Sequence, residues 1–110
     1  MKKYSVRVTD TALSDMEQIY DYIAINLNAQ DTAMGQYDRI ADAIESLEKM
    51  PERIKVVEFE PEKSRKIRHM NVDNYSVFFF IYGEEVIVTN VLYSASDISN
   101  SLKKMIHDVN

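Results

Sequence analysis

The sequence predicts an α+β fold in which a hairpin of two helices packs on a small antiparallel sheet, in the order β-α-α-β-β-β. Three observations predict it: apolar residues alternate at the N-terminus, recur at helical spacing between residues 13 and 47, and return in β-rich runs between residues 75 and 92. A further helix, capped by Asp97, is expected at the C-terminus. With 110 residues, the chain is expected to form a single domain over residues 1–110.

The first strand follows from alternation alone. Tyr4, Val6 and Val8 are separated by polar residues, a period of two that is typical of a strand with one buried face. Thr9 or Asp10 can cap the helix that follows, because their short side chains can accept a hydrogen bond from a first-turn N–H group.

Two amphipathic helices are expected next. Apolar residues recur every three or four positions through residues 11–27, and again between Asp31 and Pro51, which places them on one face of each helix. Asp31 is expected to cap the second helix and Pro51 to end it. Because their connection is short, the helices should fold back antiparallel, and the sheet should cover their apolar seam.

The remaining elements predict a three-stranded meander. Residues 51–64 are charged, contain both prolines and are expected to form a loop. Strands are predicted over residues 65–70, 75–82 and 86–92, with a turn at Gly83 between the last two. The middle strand is apolar on both faces, as a covered central strand would be.

Composition excludes several classes of protein and site. The chain has no cysteine, which excludes disulfides and cysteine-based metal sites and fits a reducing compartment. No segment approaches the roughly 20 apolar residues of a membrane span, so we expect a cytoplasmic protein without membrane contact. The two histidines are far apart in the sequence and make no metal motif, and no cofactor is expected.

Charge is unevenly distributed. The formal net charge is −5, and residues 1–50 hold five Lys or Arg against nine Asp or Glu, which argues against a broad nucleic-acid surface. Residues 63–69 are the exception, with four cations, no acid and one histidine. This basic segment is predicted to lie at the front of the sheet and is the main functional candidate in the sequence.

The order of elements and several short motifs resemble the RelE/ParE toxin superfamily. The motifs are Arg-x-x-Arg before an aromatic strand, the run Asn74-Tyr75-Ser76-Val77-Phe78-Phe79, and Val91-Leu92-Tyr93 with an aspartate four residues on. The resemblance covers nearly the whole chain. It implies the toxin half of a bacterial type II toxin–antitoxin pair, held inactive by a cognate antitoxin. RelE-like members cut messenger RNA on the ribosome, whereas ParE-like members act on DNA gyrase.

The sequence departs from the RNA-cutting branch at two places. Ser76 stands where many nucleases of the superfamily have an arginine, and residues 94–96 stand where they have a histidine, tyrosine or arginine. RNA cleavage needs a general base and cations that stabilise the developing phosphate charge. The ParE, or plasmid stabilisation, branch is therefore favoured, with growth inhibition through protein contact. A RelE-like ribosome-dependent endoribonuclease with an atypical residue set, or a degenerate non-toxic binding module, stay open as alternatives.

Candidate site residues come from the basic segment and the last strand. Arg65, Lys66 and Arg68 are predicted to bind the target, because cationic side chains suit phosphate or carboxylate groups. They could equally pair with the acidic residues just upstream. Arg68, His69 and Tyr93 are the catalytic candidates; a histidine titrates near neutrality, whereas a tyrosine is a poor base. Expected partners are a cognate antitoxin and either gyrase or the ribosome with its messenger RNA, in a homodimer or a hetero-oligomer with the antitoxin.

Overall fold

The computed structural model describes residues 3–93 and confirms the α+β class, with two helices packed on a four-stranded sheet. Its helices and strands are β1 (Ser5–Val8), α1 (Asp10–Asp21), α2 (Gln30–Glu45), β2 (Arg68–Val72), β3 (Tyr75–Tyr82) and β4 (Glu85–Tyr93). The helix expected from Asp97 lies outside the described residues. None of the helices in the described part is long and apolar enough to cross a membrane.

The sheet has the strand order β1-β4-β3-β2 and is mixed rather than wholly antiparallel. β2, β3 and β4 form the predicted antiparallel meander. β1 pairs in parallel with β4, with Val6 opposite Val86, which corrects the expectation for the first strand. The helix hairpin lies between β1 and the meander in the chain, so β1 can join the outer edge of β4 in the same direction.

The ends of the helices differ from the predicted ones in three places. One is the end of α2, which lies at Glu45 and is followed by a 3-10 turn over Ser46–Glu48, so Pro51 does not end the helix but begins a separate 3-10 turn. Thr9 Oγ1 accepts a hydrogen bond from the Ala12 N–H group at 3.2 Å and is the N-cap of α1. α2 begins at Gln30 after Ala29, so Asp31 is not the cap but lies in the first turn, where its charge still complements the helix dipole. α1 ends six residues before the predicted Leu27, because Tyr22–Asn26 form a wider π-helical turn.

The core lies between the helices and one face of the sheet, here called the helix-side face. On β3, the side chains that point toward the helices are those of Tyr75, Val77 and Phe79. α1 and α2 contribute buried side chains from successive turns. The intervening Phe78 and Phe80 therefore point to the other face, here called the outer face. Burial of each large apolar side chain contributes about 1.5–3 kcal/mol, so most of the stability comes from the helix-side face.

The turn between β2 and β3 is fixed to α2. Asp73 adopts a left-handed conformation at φ 55°, and its Oδ2 accepts hydrogen bonds from Arg39 Nε at 2.8 Å and Gln36 Nε2 at 3.0 Å. These hydrogen bonds lower the pKa of the Asp73 carboxyl. The contact holds the hairpin of the meander against the second helix, at the end of the sheet where β4 also finishes.

Candidate functional site

The basic segment is not a continuous strand. Residues 60–66 form turns, Lys66 adopts a left-handed conformation at φ 56°, and the Ile67 N–H group donates to the Glu62 carbonyl at 3.0 Å. β2 starts only at Arg68, so the strand predicted over residues 65–70 is wrong in its first three positions. At residues 65–67, backbone hydrogen bonds within the turns take the place of the expected pairing with β3. The turns and their flanks carry three exposed cations, Lys63, Arg65 and Lys66.

Arg68 is engaged within the protein. Its Nη1 donates to the carbonyl of Glu52 at 3.1 Å and also to the carbonyl of Ile54. Arg68 is paired with Phe79, whose side chain is in the core, and therefore lies on the helix-side face. Its guanidinium group satisfies carbonyl groups of the turn that follows α2, which is a structural role.

His69 lies on the opposite face, because successive side chains of a strand alternate. Its ring packs on Phe78 with 5.8 Å between centroids and an interplanar angle of 32°. Nδ1 is buried and has no hydrogen-bond partner within residues 3–93. Burial lowers the pKa of His69, so the ring is neutral at physiological pH. A general base also needs a group that orients it, and the described part of the chain supplies none.

Tyr93 is distant from both Arg68 and His69. It ends β4 opposite Tyr75, and their rings are 5.5 Å apart on the helix-side face. Arg68 is paired with Phe79, which lies four residues after Tyr75 along β3. At about 3.4 Å per residue, the two positions are roughly 14 Å apart. His69 therefore lies on the opposite face of the sheet from Arg68 and Tyr93, and these two are separated by much of the length of β3.

A hollow of about 350 Å³ on the outer face is lined by one of the predicted site residues, Arg65. Arg65 lines it beside Phe78, the residue on which His69 packs. Ser76, one of the two places where the sequence was predicted to depart from the RNA-cutting branch, is fully buried, and its hydroxyl donates to Asn71 Oδ1 at 3.1 Å. No group of three metal-ligating side chains converges within the described residues.

A second, larger concavity was not predicted from the sequence. A groove of about 720 Å³ lies on the helix-side face, where the π-helical turn approaches the ends of β3 and β4. Tyr22, Leu27 and Tyr93 line it and are 55%, 57% and 67% exposed. The sequence placed Leu27 on the apolar face of a regular helix. The wider turn changes the angular position of every later side chain, and periodicity gives no signal of it.

Comparison with known protein families identifies the chain. A family model described as ParE toxin of type II toxin-antitoxin system, parDE, matches residues 6–98. The chain belongs to the ParE toxin family. The match spans β1 to β4 and confirms the predicted RelE/ParE superfamily and its ParE branch. The protein is accordingly the toxin component of a type II toxin–antitoxin system.

Solved structures show the same fold. A chain from the chromosomal ParDE toxin–antitoxin system of P. aeruginosa superposes with a TM-score of 0.70 at 17% identity, covering 86% of this chain and 99% of that one. A chain from the RelBE2 toxin–antitoxin complex of Mycobacterium tuberculosis gives a TM-score of 0.56 at 17% identity, covering 83% and 98%. A search of curated proteins found no match. Both structural neighbours come from toxin–antitoxin systems, which supports an antitoxin as partner of this ParE family toxin.

Proposed function

We propose that this ParE family toxin inhibits growth by binding a protein target, with DNA gyrase as the first candidate, and that a cognate antitoxin neutralises it. One observation carries the proposal: Arg68, His69 and Tyr93 do not meet at one place. General acid–base catalysis needs its groups within hydrogen-bond reach of the same substrate. Contact with a protein has no such requirement.

The contact with the target is assigned to the turns before β2. Arg65 and Lys66 are exposed, whereas Arg68 is hydrogen-bonded to carbonyl groups within the protein. On a chain with a net charge of −5, a local cluster of cations favours an acidic patch on the partner. Arg68 therefore has a structural role at the carbonyl groups of Glu52 and Ile54, and Arg65 and Lys66 bind the target in the cytoplasm.

The ribonuclease alternative has one observation in its favour. Arg65 lines the outer-face hollow and His69 packs beside it on Phe78, so one cation and one titratable ring share a surface. Against it, Ser76 is buried and the His69 ring lacks an orienting partner within residues 3–93. If the chain is a degenerate binding module instead, its expression without an antitoxin leaves growth unaffected.

The test is a titration of the purified chain into a DNA supercoiling reaction with gyrase. We expect loss of supercoiled product with increasing toxin, and its return when the antitoxin encoded by the adjoining reading frame is added. The double variant Arg65→Ala/Lys66→Ala should inhibit at least about tenfold less strongly. Lys49→Ala/Lys55→Ala, which removes two exposed cations elsewhere, is the matched control. Full gyrase activity at every concentration of folded toxin would contradict gyrase as the target.

A further inference from the structure

The outer-face hollow contains a buried acceptor that has no donor. Only two buried side-chain polar atoms lack a hydrogen-bond partner within residues 3–93, Glu62 Oε1 and His69 Nδ1. Glu62 lines the hollow together with Phe78, and the His69 ring packs on the same Phe78. Because water does not reach the buried Glu62 oxygen, a bound group that donates a hydrogen there gains a hydrogen bond without displacing one to solvent.

The rim of the hollow is held by backbone hydrogen bonds. The Ile67 N–H group donates to the Glu62 carbonyl at 3.0 Å, and the Lys66 N–H group donates to the Lys63 carbonyl at 3.1 Å. Together with the left-handed conformation of Lys66, these bonds have the pattern that closes a helical turn. Glu62 and Arg65 line the hollow from this turn, so their backbone positions are fixed before any ligand binds.

The floor of the hollow is largely apolar and contains a β-bulge. Phe78 and Phe80 line it, and the pairing of β3 with β4 shifts by one residue after Phe78, which makes Thr89 an extra residue of β4. Bulges are common beside functional sites. The Thr89 hydroxyl donates to the Phe78 carbonyl at 3.3 Å, and the Asn90 side chain donates to the Asp15 carboxylate. These polar groups are already engaged, which leaves the carboxylate of the rim as the acceptor for a ligand.

Charge at the rim selects against a cationic ligand. Lys63, Arg65 and Lys66 are exposed in the same turn, and Arg65 lines the hollow. A Lys or Arg side chain that entered the hollow would lie close to these cations and be repelled by them. A neutral donor avoids this repulsion, and acidic groups on either side of it would be attracted to the rim.

We propose that the hollow receives a tyrosine or tryptophan side chain of the protein target, whose O–H or N–H group donates to Glu62 while acidic neighbours pair with Arg65 and Lys66. These two side chains combine a hydrogen-bond donor with a ring that packs on Phe78 and Phe80, and they are frequent anchors of interfaces. The 350 Å³ of the hollow lies near the lower end of the roughly 300–1,000 Å³ of ligand pockets, which suits one large side chain. The inference rests on the proposed contact with a protein target and names the segment that the target presents, an acidic one with a single aromatic anchor.

The first test is a fluorescence titration, because the toxin has no tryptophan and a peptide that contains one reports binding directly. The probe is a synthetic peptide with one tryptophan between two pairs of glutamates. We expect a saturable blue shift of its emission as the toxin is added, since the indole ring leaves water. The same peptide with lysines in place of the glutamates should bind at least about tenfold more weakly. No shift, or an equal affinity for the basic peptide, would overturn the inference.

The second test locates the ring. Phe80→Ala removes an aromatic side chain that lines the hollow and should weaken binding of the acidic peptide at least about fivefold. Tyr82→Ala is the matched control, because Tyr82 lies two residues further along β3 on the same face, is 71% exposed and does not line the hollow. It should change the affinity less than about twofold. Circular dichroism of each variant verifies the fold.

The third test isolates the hydrogen bond to Glu62. A peptide with 1-methyltryptophan keeps the ring and loses the N–H donor, so the unmodified toxin should bind it about three- to tenfold more weakly than the tryptophan peptide. In a folded Glu62→Met variant, which lacks the acceptor, this preference should fall below about twofold. Glu58→Met, at an exposed position outside the hollow, should retain it.

The outcomes separate this inference from the proposed function. A preference for the N–H group that survives in Glu62→Met, or unchanged affinity in Phe80→Ala, would overturn the assignment of the hollow and leave Arg65 and Lys66 as the contact with the target. Displacement of the peptide by a short single-stranded RNA at lower concentration would assign the hollow to nucleic acid, against the inference. The titrations contain no gyrase, so full supercoiling activity in the presence of the toxin would contradict the proposed target alone.

Discussion

The same strands present different side chains on the two faces of the sheet. On the helix-side face, Val77 and Phe79 are completely buried in a core closed by α1 and α2, and an apolar groove lies at its end. On the outer face, Phe78 lies beside the His69 ring and lines a hollow with Arg65, an exposed cation of the turns. The outer face therefore carries one cation and one titratable ring, whereas Arg68 and Tyr93 lie on the helix-side face.

The difference teaches that local charge and a preformed concavity need not coincide. The basic segment is prominent in the sequence, yet Arg68 stabilises a turn, His69 is neutral, and the remaining cations are exposed in turns. The groove is inconspicuous in the sequence, yet it is concave and mainly apolar, and Asp15 is the one carboxylate among the described residues that line it. Three predictions would break or sharpen this comparison, from the largest expected effect to the smallest.

Truncation of one aromatic residue on each face should give the largest contrast. Phe79→Ala leaves a cavity in the core and should lower the free energy of unfolding by about 3–5 kcal/mol. Phe80→Ala, at a partly buried position on the outer face, should cost less than about 2 kcal/mol. Urea denaturation followed by circular dichroism measures both. Equal losses would mean that the outer face contributes as much to stability as the core.

The two arginines of the basic segment should also contribute unequally to stability, with the larger contribution from Arg68. Arg68→Ala removes two hydrogen bonds to backbone carbonyls and should lower the free energy of unfolding by about 1–2 kcal/mol. Arg65→Ala, at an exposed position in the turns, should change it by less than about 0.5 kcal/mol. Thermal unfolding of the two variants side by side gives the answer. A destabilised Arg65→Ala with an unaffected Arg68→Ala would reverse the assigned roles.

The smallest effect concerns pH. Burial lowers the native pKa of His69 below its unfolded value of 6.5, so below pH 6.5 the unfolded chain binds more protons than the native one. Stability should therefore fall as the pH decreases from 7.5 to 5.5, and His69→Gln should show a shallower decrease. Unfolding midpoints at several pH values compare the two proteins. Identical pH profiles would indicate that His69 titrates normally in the folded protein.

Much of the fold could be predicted from periodicity. The alternation of Val6 and Val8 and the helical spacing of Ile40 and Ile44 report which face of each element is buried, and the structure confirms these assignments. Periodicity carries no information on strand direction, so the parallel pairing of β1 with β4 was not predictable. Nor does it report the π-helical turn that leaves Leu27 exposed.

The site was less predictable because it depends on where a strand begins. Alternation places Arg68 and His69 on opposite faces in the predicted strand and in β2 alike, but the start of β2 at Arg68 places Arg65 and Lys66 in turns instead of in the strand. The sequence gives no direct signal of that starting point, which is set by backbone hydrogen bonds among residues 57–67. The absence of an arginine at Ser76 was visible in the sequence. Its complete burial and its hydrogen bond to Asn71 were visible only in the structure.

The central proposal is that the toxin acts by contact with a protein target and not by RNA cleavage. The most direct measurement maps RNA 5′ ends in a purified translation reaction, with the toxin at concentrations that stop growth or inhibit gyrase. We predict no codon-positioned cuts, because Arg68 and Tyr93 lie on the opposite face of the sheet from His69. Codon-positioned cuts that disappear in the folded His69→Gln variant would contradict the account and assign the toxin to the ribonuclease branch.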